Sequence, residues 1–375
     1  MKKAVPLLIF CVAALLGIGL VMLYSAGISN ELKAARYFPT QAKALGIGLV
    51  AALLMAYIDY RVWKKLAWPA LGAVLIALVC VMFTKPVNGA HRWFTYGSFH
   101  FQPSEVAKLV VIIVTAACLE KRWEKIDKFK QGFLPVLLVV APVIGLIFIE
   151  PDRGTTIQLA AVWAVMMLVG GARFSHMVLI GMLGVALLGA SMMRDTVRRD
   201  RLKSWLNPEA TKDSVGYQGQ QGRLALGAGG LTGVGLGNGM AKLGYVPENH
   251  TDFILSVIGE ELGFVGTVSV LFLFVTFISC GLVITLNAED RFGMLLALGI
   301  TFLLGLQVFV NIGVVTGVLP NKGLALPFIS YGGSSLLATL TEVGLLLSVA
   351  LRALFAAKPE ADEAEGEFLA VPVRP

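Results

Sequence analysis

The sequence has few charged residues and few cysteines. Charged side chains make up 15% of its 375 residues, against 57% hydrophobic residues, and the mean hydropathy is +0.77. About a quarter of the residues of a soluble globular protein are charged, so the composition excludes that class. The cysteines, Cys11, Cys80, Cys118 and Cys280, lie in apolar stretches without metal-ligand spacing. They suggest neither a disulfide scaffold nor a zinc site and are interpreted as packing residues.

Long apolar runs dominate the chain instead and predict an all-α polytopic membrane protein. A transmembrane helix needs about 20 mainly apolar residues. About ten such runs are present, near residues 5–25, 43–59, 66–84, 104–119, 133–149, 155–170, 175–193, 253–286, 292–318 and 333–356. The eighth carries Glu260 and Glu261 near its start, so we expect its first two turns in the interface or against protein.

The basic residues of the short loops set the expected topology. They lie on one side: Lys2, Lys3, Arg61, Lys64, Lys65, Lys121, Arg122, Lys125, Lys128, Lys130, Arg173, Arg352 and Lys358. The positive-inside rule makes that side the cytoplasm. An even number of spans then puts both termini there, with residues 1–357 as one membrane domain and 358–375 as a disordered acidic tail. The first run is long for a signal-peptide core and is interpreted as a retained span.

The segment between the seventh and eighth spans, residues 194–252, is predicted to be a large extracytoplasmic loop, yet it is basic. Its cationic residues are Arg194, Arg198, Arg199, Arg201, Lys203, Lys212, Arg223 and Lys242. Either a long loop crosses the membrane regardless of charge, or a basic outer surface attracts an anionic, phosphate-bearing lipid. Its glycine-rich run lacks GxGxxG and Walker motifs, which argues against a nucleotide cradle and favours turns and close backbone approach. We expect no nucleic-acid partner.

Polar residues gather at the outer ends of the helices, first in the segment NGAHRWFTYGSFHFQPSEVAK. Glu105 and Lys108 lie one helical turn apart there. They form either a simple i,i+3 ion pair near water or a carboxylate and a cation that face a substrate groove. In the second interpretation Arg92 and His100 are further phosphate donors.

Two aspartates stand at predicted helix starts. Asp152 follows Pro151 in a tight turn, and capping of the next helix explains it. Asp252 precedes an apolar run and is expected to cap it as well. Partly desolvated and near His250, Asp252 is also a candidate general base, provided that its surroundings raise its pKa towards neutrality.

A broken polar segment, LPNKGLALPFISYGGSS at residues 319–335, separates the last two spans. Its prolines and glycines forbid a continuous helix, and its hydroxyl groups need partners in protein or in a wet cavity. The segment forms either a cavity wall or a short outer loop. Lys322 and Ser330 are its candidate substrate-binding residues.

Four of these motifs occur together in a known family. NGAHRW with FQPSEVAK, EPDRGT, PENHTDFILSVIGEELG and LPNKGLALPFISYGGSS resemble, in order and loop position, the SEDS family of bacterial cell-wall polymerases. The NKG before LPFISYGGSSL is more similar to the cell-division branch, FtsW, than to the elongation branch, RodA. The resemblance implies ten helices in the bacterial cytoplasmic membrane. It also implies peptidoglycan glycosyltransferase activity, in which lipid II is polymerised into β-1,4 glycan at the outer face.

The resemblance further implies partners and residue roles. The partners are a cognate class B penicillin-binding protein (a transpeptidase), other division or elongation proteins, lipid II and undecaprenyl-linked glycan. Asp252 matches the family's catalytic aspartate. Substrate-binding roles are expected for Gln102, Glu105, Lys108, Asp152, Arg92, His250, Lys322 and Ser330.

The implied reaction begins when Asp252 deprotonates the 4-hydroxyl of the acceptor GlcNAc. This oxygen attacks the anomeric carbon of MurNAc, and undecaprenyl pyrophosphate leaves. Lys108, Arg92, the basic outer loop or a divalent cation, Mg²⁺ or Mn²⁺, would stabilise the leaving group. The chain departs from the family pattern at Arg153, usually apolar, and at His100, usually arginine.

Two other functions remain open on the sequence. A flippase of the same precursor should carry ionisable residues near the midplane on interrupted helices of repeated halves, whereas the candidates here lie at the outer rim. A noncatalytic division scaffold would leave Glu105, Lys108, Asp152 and Asp252 unexplained.

Overall fold

The structure is a computed structural model that describes residues 1–27, 31–86, 90–96, 99–194, 196–207, 211, 216–247 and 250–356. The tail predicted for 358–375 lies outside the described residues. Within them the helices are α1 (Ala4–Gly27), α2 (Glu31–Tyr57), α3 (Arg61–Val81), α4 (Pro103–Arg122), α5 (Leu134–Ile149), α6 (Arg153–Val169), α7 (Phe174–Arg194), α8 (Thr196–Leu206), α9 (Tyr217–Ala228), α10 (Ile254–Leu286), α11 (Arg291–Thr316) and α12 (Gly333–Ala356). A short hairpin joins β1 (Phe94–Tyr96) to β2 (Phe99–Phe101) ahead of α4.

Each of the ten predicted spans coincides with a helix, which confirms the polytopic all-α architecture. Eight of the described helices are long and apolar enough to cross a membrane. The other two predicted spans are α4 and α6. Helix α4 carries charged residues near both ends, and α6 is only 17 residues long. The region predicted as a large loop contains two helices, α8 and α9.

The loops that the sequence assigns to the cytoplasm meet at one end of the bundle. Arg61 pairs with Asp290 at 2.8 Å and also contacts Glu289. Arg352, near the end of α12, lies 3.7 Å from Asp59. Because the pairs join the α2–α3 and α10–α11 loops and the end of α12, these three parts share one end. The alternation predicted from charge is therefore present in the fold.

Helix α10 is interrupted at Gly263. This residue has φ 69° and ψ −165°, a conformation that L side chains rarely adopt. The residues before it, 254–262, form a short helix, and residues 264–286 form the long one. Interrupting a helix frees backbone donors and acceptors, which need new partners when they are buried.

The glycine-rich loop supplies those partners. Four backbone bonds of 2.9–3.1 Å join the loop to the break, with the donor first: Val234 to Glu260, Gly235 to Glu261, Phe264 to Gly230 and Val265 to Leu231. A Cβ on Gly233 would lie 2.1 Å from the Glu261 carbonyl oxygen, and a Cβ on Gly263 would lie 2.3 Å from the Gly233 nitrogen. The expected close backbone approach is thus confirmed, and glycine is required on both sides of the contact.

The two acidic residues of this short helix also hold the loop. The Glu260 carboxylate accepts hydrogen bonds from the backbone N–H groups of Met240 and Ala241 at 2.8 and 2.9 Å. Glu261 pairs with Lys242 at 2.9 Å, and both side chains are at most 3% exposed. The Ser25 hydroxyl of α1 donates to Glu261 at 2.7 Å. The expectation that these turns lie against protein is confirmed.

Candidate functional site

The polar segments predicted at the outer side converge at the end of the bundle opposite the charged loops. Asp252, just before α10, is half-buried. Its carboxylate lies against Gly323, because a Cβ added there would stand 2.4 Å from Asp252 Oδ2. Asn311 of α11 donates to the backbone carbonyls of Asp252 at 3.0 Å and of Leu324 at 2.8 Å. One amide therefore fixes the backbone on both sides of this carboxylate.

The predicted capping role of Asp252 is wrong. Helix α10 begins at Ile254, and Phe253 occupies the N-cap position without a side-chain cap bond. Asp252 stands one residue further out, beside the 319–332 segment. Its placement therefore comes from tertiary contacts and not from the end of its own helix.

The broken segment packs against the residues around Asp252, as its buried hydroxyl groups required. The Ser330 hydroxyl donates to the Thr251 carbonyl at 2.6 Å and accepts from Leu326 N–H at 2.8 Å. Tyr331 N–H donates to the His250 carbonyl at 2.9 Å. The His250 ring stacks on Tyr37 of α2 with centroids 4.4 Å apart. This segment therefore forms a wall beside Asp252.

Lys322 connects this wall to the α5–α6 turn. Its ammonium donates to the Arg153 carbonyl at 3.0 Å, and its Cε would lie 3.2 Å from a Cβ on Gly154. Asp152 caps α6 as predicted, with Thr155 N–H donating to Oδ1 at 3.2 Å. Gln102, at the start of α4, donates to Asp152 Oδ2 at 3.3 Å. The polar surface thus runs from α4 through Asp152 and Lys322 to Asp252.

Glu105 and Lys108 form the predicted i,i+3 pair, at 2.9 Å, but not at a water interface. Their side chains are 11% and 4% exposed. A third charged residue, Glu342 of α12, interacts electrostatically with Lys108 and is 1% exposed. Sequence reasoning missed Glu342, although a lone carboxylate inside an apolar span was a usable signal. The cation therefore sits between carboxylates of two helices.

Arg92 fastens the hairpin region to the α5–α6 turn. Its guanidinium donates to the carbonyls of Glu150 at 3.1 Å and Pro151 at 2.7 Å. The Glu150 side chain is buried next to Asp152. Burial and this neighbouring carboxylate raise the pKa of Glu150 to about 7, although Arg92 opposes the shift. Sequence reasoning did not select Glu150, because the burial that contributes most to its raised pKa depends on how the turn packs in the folded protein.

The two residues that depart from the family pattern have different surroundings. The His100 carbonyl accepts a hydrogen bond from Ser334, which joins β2 to the start of α12. The Arg153 guanidinium lies over the Phe148 ring, 3.4 Å from its centroid, and contacts the Phe148 carbonyl. These contacts give the Arg153 side chain a role in packing, whereas the His100 ring meets the Trp93 ring edge-on, with centroids 6.4 Å apart.

Within the described part of the chain, no group of three or more His, Cys, Asp or Glu side chains is arranged to hold a metal ion. Lone carboxylates spaced by cations, as Asp152 and Asp252 are by Lys322, do not form the multi-oxygen cage that a tightly held divalent cation requires. The described residues therefore do not fit a resident metal centre.

The chain matches the family model of cell cycle proteins named for FtsW, RodA and SpoVE over residues 6–353. A probable peptidoglycan glycosyltransferase FtsW from Trichlorobacter lovleyi is 41% identical over 352 residues, covering 91% of this chain and 92% of that protein. Stage V sporulation protein E of Bacillus subtilis is 38% identical, covering 93% of this chain and 98% of that protein.

Solved structures share the fold. RodA of Thermus thermophilus has a TM-score of 0.69 at 34% identity, covering 91% of this chain and 95% of that chain. A chain from a structure described as the structural coordination of polymerization and crosslinking by a peptidoglycan synthase complex has a TM-score of 0.78 at 33% identity. It covers 92% of this chain and 97% of that chain.

Proposed function

Because the chain belongs to the family of cell cycle proteins that includes FtsW, RodA and SpoVE, we propose that it is a peptidoglycan glycosyltransferase. It polymerises lipid II into β-1,4 glycan at the outer face of the cytoplasmic membrane. The 41% identity to a probable peptidoglycan glycosyltransferase FtsW of T. lovleyi favours a role in cell division. The observation that carries the mechanism is the polar surface that ends at Asp252.

In the proposed reaction Asp252 is the general base. It removes the proton of the acceptor GlcNAc 4-hydroxyl, whose oxygen attacks the MurNAc anomeric carbon. The bond from that carbon to the pyrophosphate oxygen breaks with inversion, and undecaprenyl pyrophosphate leaves with the electron pair. The half-buried position of Asp252 supports this role, because a substrate hydroxyl can reach the carboxylate while the Asn311 amide holds the backbone that carries it.

The cations near Asp252 have separate roles in this proposal. Lys322 is adjacent to Gly323, which touches the Asp252 carboxylate, and its ammonium already donates to the Arg153 carbonyl. It is therefore held in place before substrate arrives, and we assign it to the leaving pyrophosphate. Gln102 and Asp152 orient sugar hydroxyls. Lys108 is buried between carboxylates and sets the position and charge of the surface. Arg92 orders the turn that carries Asp152.

The proposed function also includes a partner protein, an orientation in the membrane and a source for any divalent cation. A cognate class B penicillin-binding protein crosslinks the strands, which the shared fold with a chain of a peptidoglycan synthase complex supports. Both termini face the cytoplasm.

Any Mg²⁺ or Mn²⁺ enters with the substrate pyrophosphate, since the described residues hold no cluster that fits one. Removal of the divalent cation with a chelator is then expected to weaken the binding of lipid II. The melting temperature of the protein without substrate should stay unchanged within error.

The test is polymerisation of labelled lipid II by the purified chain reconstituted with its cognate transpeptidase. Asp252→Asn keeps the shape of the side chain and removes the base, so we expect turnover to fall at least about a hundredfold. Asp127→Asn makes the same change at the opposite end of the bundle, where Asp127 pairs with exposed Arg173, and should retain turnover. Equal glycan yield from both variants would remove Asp252 from the chemistry.

A further inference from the structure

A small pocket, about 40 Å³ in volume, opens between α8, α9 and the end of α11, and no step of the proposed reaction uses it. Helix α8 contributes Arg201, Ser204 and Trp205 to its lining. Arg223 comes from α9, and Gly317 and Asn321 come from the turn after α11. The pocket therefore gathers two of the eight cationic residues that make the 194–252 segment unusually basic.

Among the described residues around this pocket, no acidic side chain balances its positive charge. Its lining, as far as the structure describes that part of the chain, contains no carboxylate. At the other end of the bundle Arg61 and Arg352 each lie within 4 Å of an acidic side chain. In the described ranges neither Arg201 nor Arg223 has such a partner. Two guanidinium groups that face one small cavity repel each other unless an anion lies between them.

Glycine residues shape the pocket around these donors. Gly317 ends α11 with φ 82°, and a Cβ on it would lie 2.7 Å from Arg223 Nη1. The Trp205 indole N–H donates to the Gly317 carbonyl at 3.1 Å, which ties α8 to the same turn. The negative end of the α11 dipole attracts Arg223 but balances only about half a charge. Arg201 is left without compensation from that source.

A hydroxyl group completes the donor set. Ser204 is 8% exposed, and its Oγ lies 2.7 Å from the place that a Cβ on Gly216 would take. Two guanidinium groups and a hydroxyl are donors, and the described lining holds no competing acidic acceptor, which suits the oxygens of a phosphate.

The chain next to the lining residues carries exposed apolar side chains, which indicate the kind of molecule that carries the phosphate. Leu206 is 69% exposed, Val318 66% and Leu224 57%. These residues directly follow Trp205, Gly317 and Arg223 in the chain. Large exposed apolar side chains beside paired cations are typical of a surface at the headgroup level of a membrane. A free aqueous anion would not require them.

We propose that Arg201, Arg223 and Ser204 bind the phosphate of a lipid headgroup at the membrane surface beside the candidate site. Asn321, in the pocket wall, precedes Lys322 and Gly323, the residue against the Asp252 carboxylate. The phosphate comes either from a polyprenyl pyrophosphate, the class that the proposed reaction consumes and releases, or from an anionic phospholipid. Only the first source rests on the proposed function.

The test measures lipid binding directly, without turnover. The full chain in an uncharged detergent is titrated separately with undecaprenyl pyrophosphate, with phosphatidylglycerol and with diacylglycerol, which lacks phosphate. Native mass spectrometry counts the lipid molecules that are bound. We expect Arg201→Gln and Arg223→Gln each to raise the Kd of a phosphate-bearing lipid about tenfold. Diacylglycerol binding should not change. Tighter binding of undecaprenyl pyrophosphate or of phosphatidylglycerol identifies the source.

Arg199→Gln is the matched control, because Arg199 is exposed on the same helix and does not line the pocket. Its Kd should stay within about twofold of wild type for a surface charge of this kind. The proposal is overturned if both pocket variants bind as wild type does, or if Arg199→Gln loses as much affinity as they do.

Melting curves of all variants show whether each is folded, and Arg201→Gln, an exposed position, keeps the test valid if Arg223→Gln unfolds. If the wild-type chain made no glycan from lipid II but still bound phosphate-bearing lipid through Arg201 and Arg223, only the enzymatic proposal would be contradicted.

Discussion

At the residue scale, the carboxylates near Asp252 differ in how their charge is balanced. Asp152 accepts hydrogen bonds from Thr155 and Gln102. Glu150 is 2% exposed, and neither of its side-chain oxygens has a hydrogen-bond partner in the described ranges. A carboxyl whose pKa is higher in the folded state than in the unfolded state binds its proton more tightly when folded. Stability therefore falls as pH rises between the two pKa values.

For Glu150 that interval runs from its ordinary value of 4.5 to about 7. We expect Glu150→Gln to flatten the pH dependence of the melting temperature across this interval and to raise the melting temperature at pH 8 above that of wild type. Melting curves of the detergent-solubilised protein at half-unit pH steps provide the measurement. Glu124→Gln, in the connection after α4, is a control and should keep the wild-type profile. A Glu150→Gln profile parallel to wild type would contradict the assigned pKa.

Lys108 allows the two interpretations of the Glu105–Lys108 pair to be separated. Lys108→Met leaves buried Glu105 and Glu342 without their cation, so we expect a loss of about 3–5 kcal/mol of stability. Adding Glu105→Gln removes one uncompensated charge and should restore much of the melting temperature. If the pair were only structural, the double variant would also regain lipid II polymerisation. We expect it to remain at least about tenfold slower than wild type, because the Lys108 cation, which interacts electrostatically with Asp152, is gone.

At the scale of single elements, α10 is two helices joined by a glycine, and the loop 229–243 makes this arrangement stable. The apolar run predicted a helix correctly because hydrophobic periodicity is a local property. The break was not predictable, because its four backbone partners lie about 30 residues earlier in the chain. Capping at Asp152 was predictable from the turn alone, whereas Asp252 was misassigned because contacts with 319–332 determine its position.

The break gives a prediction for Gly263. An alanine there must adopt φ 69°, and its Cβ would stand 2.3 Å from the Gly233 nitrogen. We expect Gly263→Ala to cost at least about 2 kcal/mol of stability and to lower the melting temperature. Gly145→Ala in α5, where a Cβ meets nothing within 4 Å, should be neutral or slightly stabilising. Equal melting temperatures for the two variants would show that the loop does not require glycine at the break.

At the scale of the whole molecule, the bundle has two chemically different ends. One end is built from ion pairs between short basic loops and acidic turns. The other end is the polar surface that runs from α4 through Asp152 and Lys322 to Asp252. The sequence predicted which segments share each end, because alternation of spans orders them along the chain. It could not place Glu342 beside Lys108, since that contact depends on how α12 packs against α4.

The expected orientation is testable through the end of the chain. The end with Arg61 and Arg352 should face the cytoplasm. A fluorescent protein fused after residue 375 is therefore expected to fluoresce, because it folds only in the cytoplasm, whereas alkaline phosphatase fused after residue 152 should be active outside. The reverse pattern would invert the predicted topology and place Asp252 on the wrong side for lipid-linked glycan synthesis.

The interruption at Gly263 also bears on how the protein tolerates membranes of different thickness. A continuous helix of 33 residues would be about 50 Å long, far more than a hydrocarbon core of about 30 Å. The part after the break, residues 264–286, is roughly 34 Å long and can adjust to hydrophobic mismatch by tilting. The short part, residues 254–262, is held by the loop 229–243 and by α1. When the long part tilts, the angle between the two parts therefore changes at Gly263. The depth of Asp252 relative to the rest of its wall is then expected to stay constant when the acyl chains of the surrounding lipids change length.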